Sequence, residues 1–318
     1  MNLRIVCAVA LASITWLSCG WAQQFPSKPI RLVVPFPPGA SADITARVVT
    51  ESLTKQLGQP AVVENKPGAA GYLGLEYGYR QEADGHTLIL TGQALSAPPP
   101  MFPMEGFDPK RLTSVRRVSG FPLLLVVNSD LPVRSLPDFI AYARNNRNKL
   151  NVGTVPVSGY GLAITRLVGL IDAGMTEVPF NGSAPITAAL LGKQIELGLV
   201  ASGAMPMIDA GKLRAIAVAS KSRWSRTPNV ATTFEQGVKF ENGNWFGISV
   251  PTGTPVAVIG RLDRALDAAV RDPANQEQLR KAGVDPILDS SQKEMDDAIA
   301  EELAANLAVY KAPTKKPN

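Results

Sequence analysis

Of the 318 residues one is histidine and two are cysteine, and both cysteines, Cys7 and Cys19, fall within the first 22 positions. Beyond those positions the chain has no thiol, which excludes a disulfide framework, a thiol nucleophile and a Cys-ligated metal. A metal site would have to be built from carboxylates, and the acidic residues show no clustered spacing suited to one. Glu301 with Glu302, and Asp296 with Asp297, read as solvated helix faces. The single histidine, His86, lies in Ala83-Asp84-Gly85-His86, a turn leading into a strand, and reads as structural. There is no GxSxG elbow and no GxxxxGK[ST] phosphate loop. Gly68, Gly71 and Gly74 are spaced by three, which is not the dinucleotide fingerprint, and Ser52-Leu53-Thr54-Lys55 matches SxxK only inside a helix and without partners. Charge is sparse at 19%, with a thin basic excess of +5. Lys110-Arg111, Arg116-Arg117 and Lys315-Lys316 are close basic pairs. None is interleaved with aromatics, so they read as solvated surface and no nucleic acid is expected.

The N-terminus carries a targeting pattern. Arg4 supplies a positive charge, Ile5 to Leu17 is almost wholly apolar, and Gly20-Trp21-Ala22 offers small residues three and one before a cut. This predicts a secretory signal peptide over residues 1–22 and a periplasmic mature protein. The apolar core is too short to span a bilayer, which takes about 20 residues. Cys19 raises lipid attachment as a rival, but Trp16-Leu17-Ser18 before it is a poor match for a lipoprotein site.

The rest of the chain alternates between strand and helix, the pattern of parallel sheets covered by helices. Strands are expected at Ile30–Phe36, Ala61–Glu64 and Thr87–Thr91, with helices at Ser41–Leu57 and Gly71–Glu82. A second unit has strands at Leu123–Asn128, Asn151–Gly153, Thr176–Phe180, Ile195–Val200 and Leu213–Ala219. Its helices are Leu136–Asn146, Tyr160–Ile171, Ala184–Leu191 and a short one from Met205. An apolar strand from Trp245 precedes helices at Pro255–Val270, Pro273–Ala282 and Gln292–Tyr310.

Three strand-to-helix loops are made of small, mostly uncharged residues: Phe36 to Asp43, Thr154 to Gly161, and Pro179 to Pro185. A helix N-terminus presents unpaired N–H groups and a partial positive charge, and Gly39, Ala40 and Ser41 would let an anion approach them. In open α/β sheets ligands bind beyond the carboxyl ends of the strands. Two such loops facing each other from different domains would clamp a small anion. Each loop alone is also ordinary turn and capping chemistry, and Asp43 fits a first-turn carboxylate complementing the dipole.

The segments "FPSKPIRLVVPFPPGASADITARVV", "LGQPAVVENKPGAAGYLG", "DGHTLIL", "VPFNGSAPITAALLGKQIELGLV", "AGKLRAIAVAS" and "FGISVPTGTP" together resemble the substrate-binding receptors of tripartite tricarboxylate transporters, also called Bordetella uptake gene (Bug) receptors. The likeness runs through nearly all of the chain after residue 22. It implies an α/β, two-domain periplasmic binding protein of type II (a Venus flytrap), each domain a mainly parallel sheet covered by helices. Domain 1 would comprise 23–124 and 247–318, and domain 2 residues 125–246. The implied function is capture of a small organic carboxylate in the interdomain cleft, without catalysis or cofactor, by a monomer that delivers it to a membrane transporter or a sensor. The implied ligand contacts are Phe36, Gly39, Ala40, Ser41, Asp43, Gln93, Thr154, Ser158, Gly159, Tyr160, Asn181 and Ser202. The sequence departs from the family pattern at Ala40, where a second Gly is usual, and at Pro156, which removes an amide donor. Ser158-Gly159 reverses the usual order, Leu162 stands in place of a His, and no acid follows Val200, which argues against an amino-acid ligand. Tyr72 and Tyr160 would either stack on an aromatic acid or pack. The competing readings are an exported hydrolase or transferase using Asp43 with a water, which lacks a nucleophile–base pair, and a ligand-sensing module feeding a signalling partner.

Overall fold

The computed structural model describes residues 25–97, 107–155 and 159–311. The segment expected to be a signal peptide, with Cys7 and Cys19, together with Pro156, Ser158 and Lys315-Lys316, lies outside these described residues. In chain order the elements begin with β1 (Ile30–Val34), α1 (Ser41–Leu57), β2 (Ala61–Asn65), α2 (Tyr72–Tyr79), β3 (Thr87–Thr91) and β4 (Leu112–Pro122). Next come β5 (Leu124–Asn128), α3 (Leu136–Asn145), β6 (Asn151–Thr154), α4 (Gly159–Ile171), β7 (Thr176–Pro179), α5 (Ser183–Leu191), β8 (Leu197–Val200), α6 (Met205–Asp209) and β9 (Leu213–Val218). The chain ends with β10 (Gly243–Pro251), α7 (Val256–Arg271), α8 (Pro273–Lys281), β11 (Asp285–Pro286) and α9 (Gln292–Lys311).

Most elements form for reasons local to their own residues. The apolar run of β1 is almost wholly buried because helices cover both of its faces. Helix α1 buries Ala42, Ala46, Val49 and Leu53 along one stripe. It ends where Gly58 turns to φ +73° and returns its N–H to Thr54 O at 3.1 Å. Helix α3 starts on Ser135, whose Oγ accepts from Asp138 N–H at 3.2 Å, with Pro137 in the first turn. His86 is structural: its Nε2 accepts from Ser27 N–H at 3.1 Å and its ring meets the edge of Phe25.

Two sheets result, with strand orders β11-β4-β10-β3-β1-β2 and β7-β6-β8-β5-β9. Neither is mainly parallel, which corrects that expectation. β1 pairs in parallel with β2 and β3, and β6 with β7 and β8. β10, however, enters between β3 and β4 antiparallel to both, and β5 enters between β8 and β9 antiparallel to both. Each sheet therefore joins a parallel half, made by local βαβ crossovers, to an antiparallel half organised by the strand that arrives from the other lobe. At the waist Leu123 N–H donates to Asn242 O (3.0 Å), and Ala219 N–H to Leu123 O (2.9 Å).

The 11-residue β4 is a correction of a different kind. The sequence reading assigns no element there and takes its Arg116-Arg117 pair as solvated surface. Ser114, Arg116, Arg117 and Ser119 interrupt its apolar residues, and register shifts against β10 break the period of two. Arg116 is only 4% exposed. Its Nε lies 2.9 Å from Asp263 and its Nη1 2.5 Å from Asp267, one turn apart on α7, and its Nη2 donates to Ser290 O. Burial opposes ionisation of Asp267, but Arg116 and Arg271 outweigh it and hold its carboxyl below the usual range.

Two outcomes are expected. A Cβ on Gly74 would lie 2.6 Å from Lys66 O and 2.8 Å from Pro35 Cα, backbone that cannot step aside. Overpacking of this kind costs about 1–3 kcal/mol against a helix-propensity gain of about 1 kcal/mol for Gly→Ala. Gly74→Ala should therefore lower the urea midpoint and Gly74→Val, which is bulkier and has less of that gain, should lower it further; an unchanged midpoint in both contradicts the packing. The second outcome concerns acid. Asp267 has a folded-state pKa below its ordinary 3.8, so the unfolded chain binds more protons in that window. Its contribution is full above about pH 4 and is lost as pH falls through the folded value. Thermal unfolding from pH 7 to 2.5 should show this loss, and Arg116→Met, less stable at pH 7, should show a shallower one. Parallel acid limbs in the two proteins would contradict it.

Candidate functional site

The first loop leaves β1 beside a carboxylate that is wholly engaged within the protein. Asp43 is 2% exposed. It accepts from Gly39 N–H (3.0 Å), Arg47 Nε and Nη2 (2.9 and 3.2 Å) and Asn65 Nδ2 (3.0 Å). Burial disfavours its charge, yet these donors together hold its pKa below the ordinary range. Asn65 also donates to Phe36 O at 3.1 Å, so the end of β2 is tied to both ends of the loop. Gly39 takes φ +84°, which brings its N–H round to Asp43. Asp43 and the Gly39 amide are thus struts of the loop. The first helical bond of α1 is Ile44 N–H to Ala40 O. The N–H groups of Ser41, Ala42 and Asp43 precede that ladder at the positive end of the helix. The Phe36 ring meets Phe246 edge-on at 6.2 Å, and Phe246 meets Phe121 at the same distance, an apolar floor where β1 and β4 end and β10 begins.

Gln93 opens a 3-10 turn, Gln93–Ser96, just beyond β3. Its Nε2 donates to Gly243 O at the start of β10. The turn is anchored from behind by Glu302 of α9, which accepts from Ser96 Oγ (2.7 Å) and Trp245 Nε1 (2.8 Å), while Asn306 Nδ2 donates to Ser96 O (3.0 Å). Burial pushes the Glu302 carboxyl above its ordinary pKa, against those two donors. This corrects the reading of Glu302 as solvated, although Glu301, Asp296 and Asp297 are exposed as expected. Met295, Ile299, Glu302 and Asn306 recur at intervals of four, three and four, and that stripe is a signal that the face is inward.

In the second lobe β7, β6 and β8 lie side by side, and Asn181, Thr154 and Ser202 stand at or just beyond their neighbouring carboxyl ends. Thr154 is 6% exposed, and its Oγ1 is buried with no hydrogen-bond partner among the described residues. Its carbonyl accepts from Phe180 N–H at 2.8 Å, which ties the loop carrying Asn181 to β6. Asn181 itself is exposed and Ser202 half-buried. Gly161 packs so closely that a Cβ on it would lie 2.6 Å from Val155 O. Tyr160 donates its hydroxyl to Leu199 O at 2.5 Å, so that oxygen too is engaged internally. Tyr72 packs: its hydroxyl donates to Ala94 O (3.3 Å), its ring meets Phe107 edge-on at 4.8 Å, and burial pushes its pKa up to about 12.

The lobes meet at these same residues. Gly159 stands where a Cβ would lie 3.9 Å from Gln93 Oε1, and Gly283 stands where one would lie 3.4 Å from Ser202 Oγ. Helix α4 of the second lobe packs on α9 and on the Gln93 turn of the first. Among the residues expected at the site, Phe36, Ala40, Ser41 and Gln93 cluster at strand ends of one lobe, and Thr154, Gly159, Asn181 and Ser202 at those of the other. Ser158 lies outside the described residues. Among the described residues there is no cluster of three or more potential metal-ligating side chains, and no helix long and apolar enough to cross a membrane.

This architecture is shared. The family described as the tripartite tricarboxylate transporter family receptor matches residues 45–313. BugT of Bordetella pertussis is 33% identical over 282 residues, 84% of either chain. A TctC solute-binding protein from Polaromonas, solved without ligand, superposes with a TM-score of 0.79 at 25% identity, covering 90% of this chain and 99% of that one. An R. palustris protein solved with adipate gives 0.73 at 29% identity, over 90% and 97% of the two chains. MatC from Rhodopseudomonas palustris, with bound malate, gives 0.68 at 28%, over 90% and 98%. The chain has the two-domain fold of these periplasmic binding proteins, and it belongs to the family of tripartite tricarboxylate transporter receptors, whose members bind solutes.

Proposed function

We propose that the protein captures a small organic carboxylate between its lobes and delivers it to a tripartite membrane transporter, without chemical change to the ligand. The observation that carries this reading is the Thr154 hydroxyl, buried at the carboxyl end of β6 with no partner among the described residues. A buried hydroxyl with no partner costs about 1–3 kcal/mol, and a ligand oxygen accepting from it removes that penalty. The N–H groups ahead of the α1 ladder face the same need from the other lobe. A carboxylate suits both, because it accepts several hydrogen bonds and favours the positive end of a helix. Relatives solved with malate and with adipate carry dicarboxylates, and a dicarboxylate would give each lobe one anionic end. The absence of an acid in Leu199 to Ser202 still argues against an ammonium-bearing ligand. We take the lobes to divide close to where the chain passes between the sheets, 23–124 with 247–318 against 125–246, with Gly243 to Phe246 at the start of β10 joining the first sheet. Ligand contacts made to both lobes at once would favour the closed arrangement.

Two measurements test this. A ligand present at a hundred times its Kd stabilises by about 2.7 kcal/mol, which for a chain of this size raises Tm on the order of 5 °C. Malate, adipate and a panel of aliphatic and aromatic mono- and dicarboxylates should contain compounds that do so; a flat response across the panel overturns the reading. Thr154→Val should weaken binding of the best of these compounds about tenfold while leaving the ligand-free Tm unchanged or raised. If the ligand-free Tm falls instead and affinity does not, the hydroxyl is structural and not a ligand contact.

A further inference from the structure

Gln93 brings to the junction of the lobes a group of the opposite kind from the amides and hydroxyls around it. β1 and β3 pair in parallel with Val33 beside Ile89. The loop after β1 and Gln93, two residues beyond the end of β3, therefore leave neighbouring strands at the same level. A glutamine side chain has a donor end and an acceptor end. Which end faces where is decided here by the partner. Gly243 O is a carbonyl and only accepts, so the amide nitrogen is turned to it. The oxygen is turned toward Gly159 of the second lobe. A Cβ on Gly159 would lie 3.9 Å from Gln93 Oε1 and, its own chain neighbours apart, within 4 Å of nothing else among the described residues. Oε1 itself accepts from no donor among the described residues. The side chain is half-buried and its backbone is braced by Ser96, whose Oγ donates to Gln93 O at 2.9 Å. The result is a held acceptor, aimed across the lobe junction.

We infer that Gln93 is a specificity-determining residue that selects carboxylic acids bearing a hydroxyl: its Oε1 accepts from the ligand O–H, while the carboxylate is held by the donors of the two lobes. This deepens the carboxylate-capture reading and rests on it. A carboxylate oxygen set against Oε1 would put two acceptors together, so this end of Gln93 is no carboxylate contact. The amide cannot reverse to offer its nitrogen, because its oxygen would then face Gly243 O. An ammonium group asks for an acid beside it, and Leu199 to Ser202 supply none. A hydroxyl asks only for one neutral acceptor and brings no charge. An acid without a hydroxyl leaves Oε1 to a water, which must be held within the occupied junction. A site that accepts from a substrate hydroxyl discriminates against the analogue lacking it, because the acceptor is then left without its partner. The hydroxyl is of one chemistry whether it sits on an aliphatic chain or on a ring, and the test separates these two sources.

The test compares acids that differ by a single hydroxyl, by calorimetric titration of the mature protein: malate against succinate, and para-hydroxybenzoate against benzoate. In the pair that binds, the hydroxy acid should bind about tenfold more tightly. Equal affinity within every pair that binds overturns the selection and leaves the capture reading standing, whereas no binding by any of the four overturns both. Gln93→Leu, which has no acceptor, should bring the two members of the pair to the same affinity. A loss shared equally by both, with their ratio kept, marks Gln93 as a brace for the start of β10 and overturns its role in selection. Thr154→Val removes a donor to the carboxylate, so it should weaken both members alike and keep the ratio; a ratio abolished there as well overturns the assignment to Gln93. A crystal structure of the unaltered protein with the preferred acid decides the point without any variant. The ligand hydroxyl oxygen should lie about 2.7–2.8 Å from Gln93 Oε1, and a hydroxyl bound elsewhere, with a water on Oε1, overturns the inference.

Discussion

Two antiparallel insertions determine the rest of this molecule. β10 pushes into the first sheet between β3 and β4, and β5 into the second between β8 and β9. Both strands carry the chain between lobes, and they are bonded to each other's neighbourhood at Leu123, Ala219 and Asn242. A strand in the middle of a sheet is held by ladders on both sides, so the crossing points are the least free part of the chain. With the crossings fixed, the parallel half of each sheet has one available orientation. The carboxyl ends of β1, β3, β6, β7 and β8, with the helix N-termini beyond them, come to the junction of the lobes, and Gly159 meets Gln93.

Charge is arranged around that junction rather than within it. Asp43 is neutralised by Arg47 and used to shape a loop. Arg116 is buried against Asp263 and Asp267 of α7. Glu302 braces the Gln93 turn through Trp245 and Ser96. Buried ion pairs add little net stability because desolvation offsets their attraction, but leaving one partner alone is costly, so they specify geometry well. On the proposed reading the groups left to meet a ligand are mainly neutral donors, which suits reversible capture of an anion. A full cation in the same place would bind more tightly and release more slowly.

Much of this is legible without coordinates. The limits of α1, the Gly58 cap, the Ser135 cap and the strand Thr87–Thr91 agree with the structure because periodicity and capping are properties of neighbouring residues. The structural role of His86 is readable from its turn. β4 is not, because its two arginines and its bulges remove the alternation by which a strand is recognised. Nor is the inward face of Glu302, where an acidic pair on a polar helix hides a stripe of four.

The order and type of nearly all elements, the family pattern, and the kind of loop placed before each helix were written in the linear chain, since each depends on residues within a turn or two of one another. Which polar atoms those loops keep for a ligand was not. That depends on partners far away in the chain, as when Ser96 meets Glu302 across 206 positions or Tyr160 meets Leu199 across 39. A hydroxyl or amide is available only if folding brings it no partner, and that is a property of the assembled lobes and not of any local stretch.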